Sequence, residues 1–94
     1  MRILSYVPQE EIIKYLKKKS FEDIVKACND IYDYKYITGE LKENSILRVF
    51  ASEMGTTNVR DIEAAVIEYA SRKLSKSVLL LFETQPYRFL KHYK

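Results

Sequence analysis

From Thr56 to Gln85 the chain contains neither glycine nor proline, and all 94 residues contain only two of each. Sandwiches and barrels of short strands need frequent turns, and turns are where Gly and Pro are needed most. Their scarcity favours helices, which run long between breaks. The fold expected is mainly α: one small domain, residues 1–94, of four to five helices. A chain this short buries a single modest core.

Hydrophobic periodicity places the helices. Pro8 suits a first helical turn, because its missing N–H has no intrahelical partner there. Gln9, Glu10 and Glu11 put acids at the positive end of the helix dipole, and Lys17, Lys18 and Lys19 put bases at the negative end. The first helix therefore spans roughly 8–19. Ser20 is placed to cap a second helix, in which Ile24, Val25, Cys28, Ile31 and Tyr32 recur at three- and four-residue steps. A third helix is expected over roughly 40–54, with Leu47, Phe50, Ala51 and Met54 facing inward. Gly55 suits the left-handed position past its end. Thr57 or Asn58 then caps a fourth helix with Val59, Ile62, Val66 and Tyr69 on its buried side.

Three segments also read as short strands: 2–7, 32–37 and 77–83. Tyr32, Tyr34 and Tyr36 would share one face of an extended chain, and Val78–Phe82 (VLLLF) would suit a buried strand. The alternative architecture is then winged-helix-like or α+β. Leucine is a strong helix former and only Val78 in that run is β-branched, so helix is the preferred reading of 78–82.

The motif that suggests a function is FASEMGTTNVRDI, residues 50–62. A helix-turn-helix sets two helices at a steep angle through a short turn that often contains Gly. Ala51 supplies a small residue at the crossing, and Gly55 the turn, so a helix-turn-helix-like corner is expected over 46–70. Thr57, Asn58 and Arg60 would then reach phosphates or base edges. Two features oppose this. The apolar positions fall at Val59 and Ile62 rather than at Asp61, a slip of one residue and ~100°. Asp61, Glu63 and Glu68 also accompany Arg60, and duplex DNA carries a charge every ~1.7 Å along its axis.

Charge is distributed unevenly. Residues 1–71 hold ten Lys/Arg against twelve Asp/Glu, while residues 72–94 hold Arg72, Lys73, Lys76, Arg88, Lys91 and Lys94 against Glu83 alone. The basic C-terminal quarter is thus the second place to expect contact with nucleic acid or an acidic protein. Eight tyrosines and the apolar run near the end define a third surface. Tyr32, Tyr34, Tyr36, Leu81, Phe82, Tyr87, Phe89 and Tyr93 are its interface residues, either packed at a core edge or exposed to a protein partner.

Catalytic signals are missing. One Cys and one His do not build a zinc site, and neither Gly39 nor Gly55 lies in a phosphate-loop pattern. Cys28 lies on an apolar face far in sequence from His92, which suits a buried thiol better than a nucleophile. No enzyme activity, catalytic residue, cofactor, metal or small-molecule substrate is expected. The longest apolar run is far short of the ~20 residues a membrane span needs, and Met1–Val7 is too short for a secretory signal. A lone cysteine gives no disulfide framework, so a cytoplasmic, non-membrane protein is expected. The leading function is a small DNA-binding, transcription-regulating helical domain acting as a homodimer on double-stranded DNA. The alternative is a helical protein-binding module (adaptor, inhibitor or assembly subunit) that binds no nucleic acid.

Overall fold

The computed structural model describes residues 7–85. Five α-helices follow one another: α1 (Gln9–Leu16), α2 (Phe21–Asp33), α3 (Ile46–Met54), α4 (Val59–Leu74) and α5 (Val78–Thr84). A π-helical turn, Tyr34–Thr38, extends the end of α2. Among the described residues no strand forms, so the fold is mainly α. The expected strand 2–7 lies, except for Val7, outside the described residues.

The longest helix, α4, sits at the centre and packs against each of the other four. Its buried positions are Ile62, Ala65, Val66, Tyr69 and Ala70, the i, i+3, i+4 pattern of a helix with one apolar stripe. The two alanines on that stripe leave room for neighbouring helices to approach.

Local chemistry sets the ends. Ser20 Oγ accepts the Asp23 N–H at 3.1 Å, and Asn58 Oδ1 accepts the Asp61 N–H at 3.2 Å. Gly55 ends α3 with φ 73°. The Thr56 N–H donates to Ala51 O and the Gly55 N–H to Ser52 O, the paired bonds of a Schellman motif. No atom lies within 4 Å of a Cβ built on Gly55, so its requirement for glycine is one of backbone conformation alone.

Two boundaries differ from the sequence expectation. Helix α1 stops at Leu16, and Lys17–Lys19 form a turn. Helix α3 begins at Ile46 rather than near residue 40. Its start is capped twice: locally Ser45 Oγ accepts the Leu47 N–H at 3.1 Å, and from outside Asp30 of α2 accepts the Ser45 hydroxyl at 2.8 Å and the Ile46 N–H at 2.9 Å. A carboxylate on another helix caps it, and the local sequence does not show that. Segment 32–37 is helical, which corrects the strand alternative there, and Val78–Thr84 is helical, as preferred over a strand from the sequence. Tyr32 belongs to α2 and is 7% exposed, and Tyr36 falls one turn later, its ring centroid 5.1 Å from that of Tyr32. Tyr34 lies between them on another side, as helical spacing requires. For 77–83, Ser77 Oγ caps α5 by accepting the Leu80 N–H.

The α4–α5 junction repeats the Schellman pattern with a residue less suited to it. Ser75 adopts φ 55°, while the Lys76 N–H donates to Ser71 O. A side chain in this left-handed region is strained. Replacing Ser75 by glycine is expected to raise stability by about 0.5–1 kcal/mol in urea unfolding, the relief of strain outweighing the greater freedom of the unfolded chain. A loss of stability would show that the serine is relaxed there.

One surface cluster ties α1 to α3. The Tyr15 hydroxyl donates to Glu53 Oε1, and Lys19 Nζ donates to the same oxygen at 2.9 Å. The Lys19 ammonium also lies 4.9 Å from the Tyr15 ring centroid. The hydrogen bonds from Tyr15 and Lys19 hold the Glu53 carboxyl below its usual range, whereas burial and then the Glu53 hydrogen bond push the Tyr15 phenol up. A lowered carboxyl contributes stability that is present above its unfolded value, about 4.3, and is lost as pH falls through the folded one. A raised phenol contributes stability that is present below about 10 and is lost as pH rises beyond it. The urea midpoint of the wild type is therefore expected to fall more steeply than that of Glu53→Gln below about pH 4. Parallel curves would show that the cluster contributes nothing.

Candidate nucleic-acid interface at the α3–α4 corner

The corner is built inside out. Phe50 and Ala51 are buried, and Met54 packs against the core. Thr56 is buried too, and its Oγ1 accepts the Asn58 N–H at 3.0 Å, so this hydroxyl belongs to the turn. Thr57 is exposed, Asn58 is partly buried as the cap, and Arg60 is exposed in the first turn of α4. These three, expected from sequence as a recognition set, line one open groove of about 660 Å³.

The structure adds two groups to that groove. Tyr34 reaches it from the π-helical turn, and Arg48 from the first turn of α3. The Arg48 Nε–H donates to Lys42 O at 2.9 Å and its Nη2 to Leu41 O at 3.1 Å. These bonds fix the direction of the guanidinium and leave its charge in place. A second concavity adjoins the first and shares Arg48, Thr57 and Val59. The sequence reading missed Arg48. Its signal was position: it lies one helical step before Ala51 on the helix that enters the corner.

The acids beside Arg60 are not both free. Glu63 pairs with Lys35 at 3.0 Å, and its side chain is only 13% exposed. Asp61 has one carboxylate oxygen, Oδ2, buried and without a hydrogen-bond partner among the described residues. Ile62, not Asp61, fills the core position, so the one-residue slip read from the sequence is real. Glu40 also lines the groove, opposing its cations.

The basic set at the other end of α4 is partly engaged. Arg72 Nε donates to Glu68 Oε2 at 2.8 Å, and Arg72 Nη2 lies 3.6 Å from Glu10 Oε2. Lys73 lies 5.9 Å from the Tyr69 ring centroid, and Lys76 is exposed beyond the helix. Lys73 follows Arg60 by about 20 Å along the helix axis, so the two ends of α4 do not form one continuous basic surface. Arg88, Lys91 and Lys94 lie outside the described residues.

The aromatic set also separates. Tyr32 and Phe82 are buried, with ring centroids 5.5 Å apart, and Leu81 is partly buried. Core packing takes these three, whereas Tyr36 remains 45% exposed. Tyr36 lies 6.2 Å from Phe82, which places the π-helical turn beside α5. Exposed Ile37, Leu79 and Leu80 belong to the same two elements. Tyr87, Phe89 and Tyr93 lie outside the described residues.

Cys28 is buried in the core, and burial pushes its thiol up to about 12, so the thiolate a nucleophile needs does not form near neutrality. Among the described residues no group of three or more His, Cys, Asp or Glu could hold a metal ion. No helix among them is long and apolar enough to cross a membrane. Comparison with protein-family models, with curated proteins and with solved structures finds no match to this chain.

Proposed function

We propose that this chain is a small, non-enzymatic regulatory protein that binds nucleic acid through the α3–α4 corner, with double-stranded DNA the first form to test. One observation carries the reading. Thr57, Asn58 and Arg60 line a single groove with Arg48, while the neighbouring carboxylate of Glu63 is matched by Lys35. The local charge is therefore more favourable to phosphate than the sequence implies. One short helix offers little contact area, so a homodimer is the working form proposed.

Fluorescence anisotropy on a labelled duplex across a salt series tests this. Affinity is expected to fall with salt, and Arg60→Ala to reduce the log–log slope by about one. Arg72→Ala is expected to leave that slope unchanged, because two carboxylates already hold its guanidinium. Binding that is millimolar at low salt, or equal loss from both variants, would sink the proposal.

A second reading rests on a different surface. Tyr36, Ile37, Leu79 and Leu80 are exposed on two adjacent elements, an arrangement that suits a protein partner. Light scattering behind a sizing column, then pulldown with Leu80→Glu as control, tests it. A strict monomer that enriches no partner lost in the variant would count against it.

A further inference from the structure

The corner groove has an electrostatic imbalance that the fold does not resolve internally. Arg48 and Arg60 come from different helices and line the same concavity. Neither forms an ion pair with a carboxylate among the described residues, whereas Arg72 is held by both Glu68 and Glu10. Glu63 stands three residues after Arg60, a spacing at which a helical ion pair forms readily. It pairs instead with Lys35, brought in by the π-helical turn. The fold thus pairs Glu63 elsewhere and leaves Arg60 without an ion-pair partner among the described residues, with Glu40 and Asp61 the acids that remain nearby.

Aromatic and apolar groups complete the concavity. Tyr34, Leu41 and Val59 line it together with the two arginines. All three are partly buried, so packing restricts them before any ligand arrives. The groove is open to solvent and has a volume of about 660 Å³, room for a nucleotide on its surface rather than an enclosed pocket. A guanidinium fork matches phosphate oxygens in pairs, which Arg60 can present whole and Arg48 only through the Nη1–Nη2 edge left by its bonds to Lys42 O and Leu41 O, and an aromatic face stacks on a base of any identity.

We propose that this groove is a nucleoside-phosphate site, in which Arg48 and Arg60 take the phosphate and the Tyr34 ring takes the base. The proposal rests on the nucleic-acid reading of the corner, moves its ligand from a duplex to an unpaired nucleotide, and departs from the expectation that no small molecule binds. The shared chemistry has two sources, a free nucleotide or one unit of a single strand. Bases within a duplex are stacked on each other and do not offer a face to Tyr34. Glu40, also at the groove, opposes the phosphate.

The test is a titration of isotope-labelled protein followed by NMR, including the arginine Nε–H signals. The probes are adenosine monophosphate, inorganic phosphate, adenosine, and a hexanucleotide as single strand and as duplex. Adenosine monophosphate is expected to shift Arg48, Arg60 and Tyr34, and to bind at least about fivefold tighter than inorganic phosphate. Arg60→Ala should weaken it by about tenfold. Tyr34→Leu should weaken the nucleotide without weakening inorganic phosphate, and Glu40→Gln should tighten both. Nucleotide binding no tighter than that of phosphate, or shifts confined to other residues, would overturn the proposal. If the oligonucleotides bind with a salt slope and shift Thr57, Asn58 and Arg60 while Tyr34 stays still and the mononucleotide binds no tighter than phosphate, the nucleic-acid reading survives and this site fails. If the mononucleotide shifts the groove and no oligonucleotide binds, the site stands with a free nucleotide as its ligand and the nucleic-acid reading fails.

Discussion

Replacing Phe82 by alanine is expected to lower the unfolding free energy by about 3–5 kcal/mol. Helix α5 has only seven residues, too few to hold helical structure in water without tertiary support. Its support comes from Val78 and Phe82, both essentially without exposure. The Phe82 ring also meets Tyr32 at 5.5 Å and Tyr36 at 6.2 Å. Such ring pairs contribute about 0.5–1.5 kcal/mol beyond the area they bury. Removing the ring opens a cavity where α5 meets α2 and the π-helical turn. A domain of this size has a total stability near the low end of about 5–15 kcal/mol, so the variant should be close to unfolding at ordinary temperature. Urea unfolding followed by far-ultraviolet circular dichroism measures this. Leu80→Ala is the control: the same helix, an exposed face, and a change within about 0.5 kcal/mol. Equal costs for the two variants, or less than about 1 kcal/mol for Phe82→Ala, would mean that α5 is not docked through this ring.

Asp30→Ala should cost about 2–3 kcal/mol. The Asp30 carboxylate accepts from the Ser45 hydroxyl and from the Ile46 N–H, at the first turn of α3. Ser45 is itself buried, and its Oγ accepts the Leu47 N–H at 3.1 Å. Two donors therefore depend on one carboxylate. Removing it leaves them without an acceptor in a partly buried site, and removes a negative charge from the positive end of the α3 dipole. Asp30→Asn keeps one acceptor oxygen and should recover part of the loss. A double-mutant cycle with Ser45→Ala isolates the shared bond, with a coupling of about 1 kcal/mol or more expected. Independent, additive effects would show that the cap across helices contributes nothing.

The corner shows how far local chemistry reaches. Gly55 at the left-handed position, Asn58 as the cap of α4 and Ser20 as the cap of α2 each follow from neighbours within a few residues, and each stands where the sequence places it. Arg60 is exposed for an equally local reason, since Ile62 fixes which face of α4 turns inward. The charges are different. Glu63 looks like a free acid in sequence, yet its partner is Lys35, twenty-eight positions earlier. Arg72 looks like a free base, yet Glu10 reaches it from α1. Arg48 enters the groove because α3 and α4 meet there, and Tyr34 because the π-helical turn carries the end of α2 to it.

The sequence by itself determined the helical class, because few Gly and Pro and a steady three-to-four-residue apolar step leave little else for these residues to form. It also determined the caps of α2 and α4 and the Schellman turn at Gly55, because each is settled by atoms three to five residues apart. Tertiary structure alone decided that Asp30 joins Ser45 in capping α3, that Phe82 is core while Tyr36 is surface, and which charges pair across helices. Those outcomes depend on contacts between residues distant in sequence. Side-chain periodicity shows which face of a helix turns inward but not which neighbour it meets.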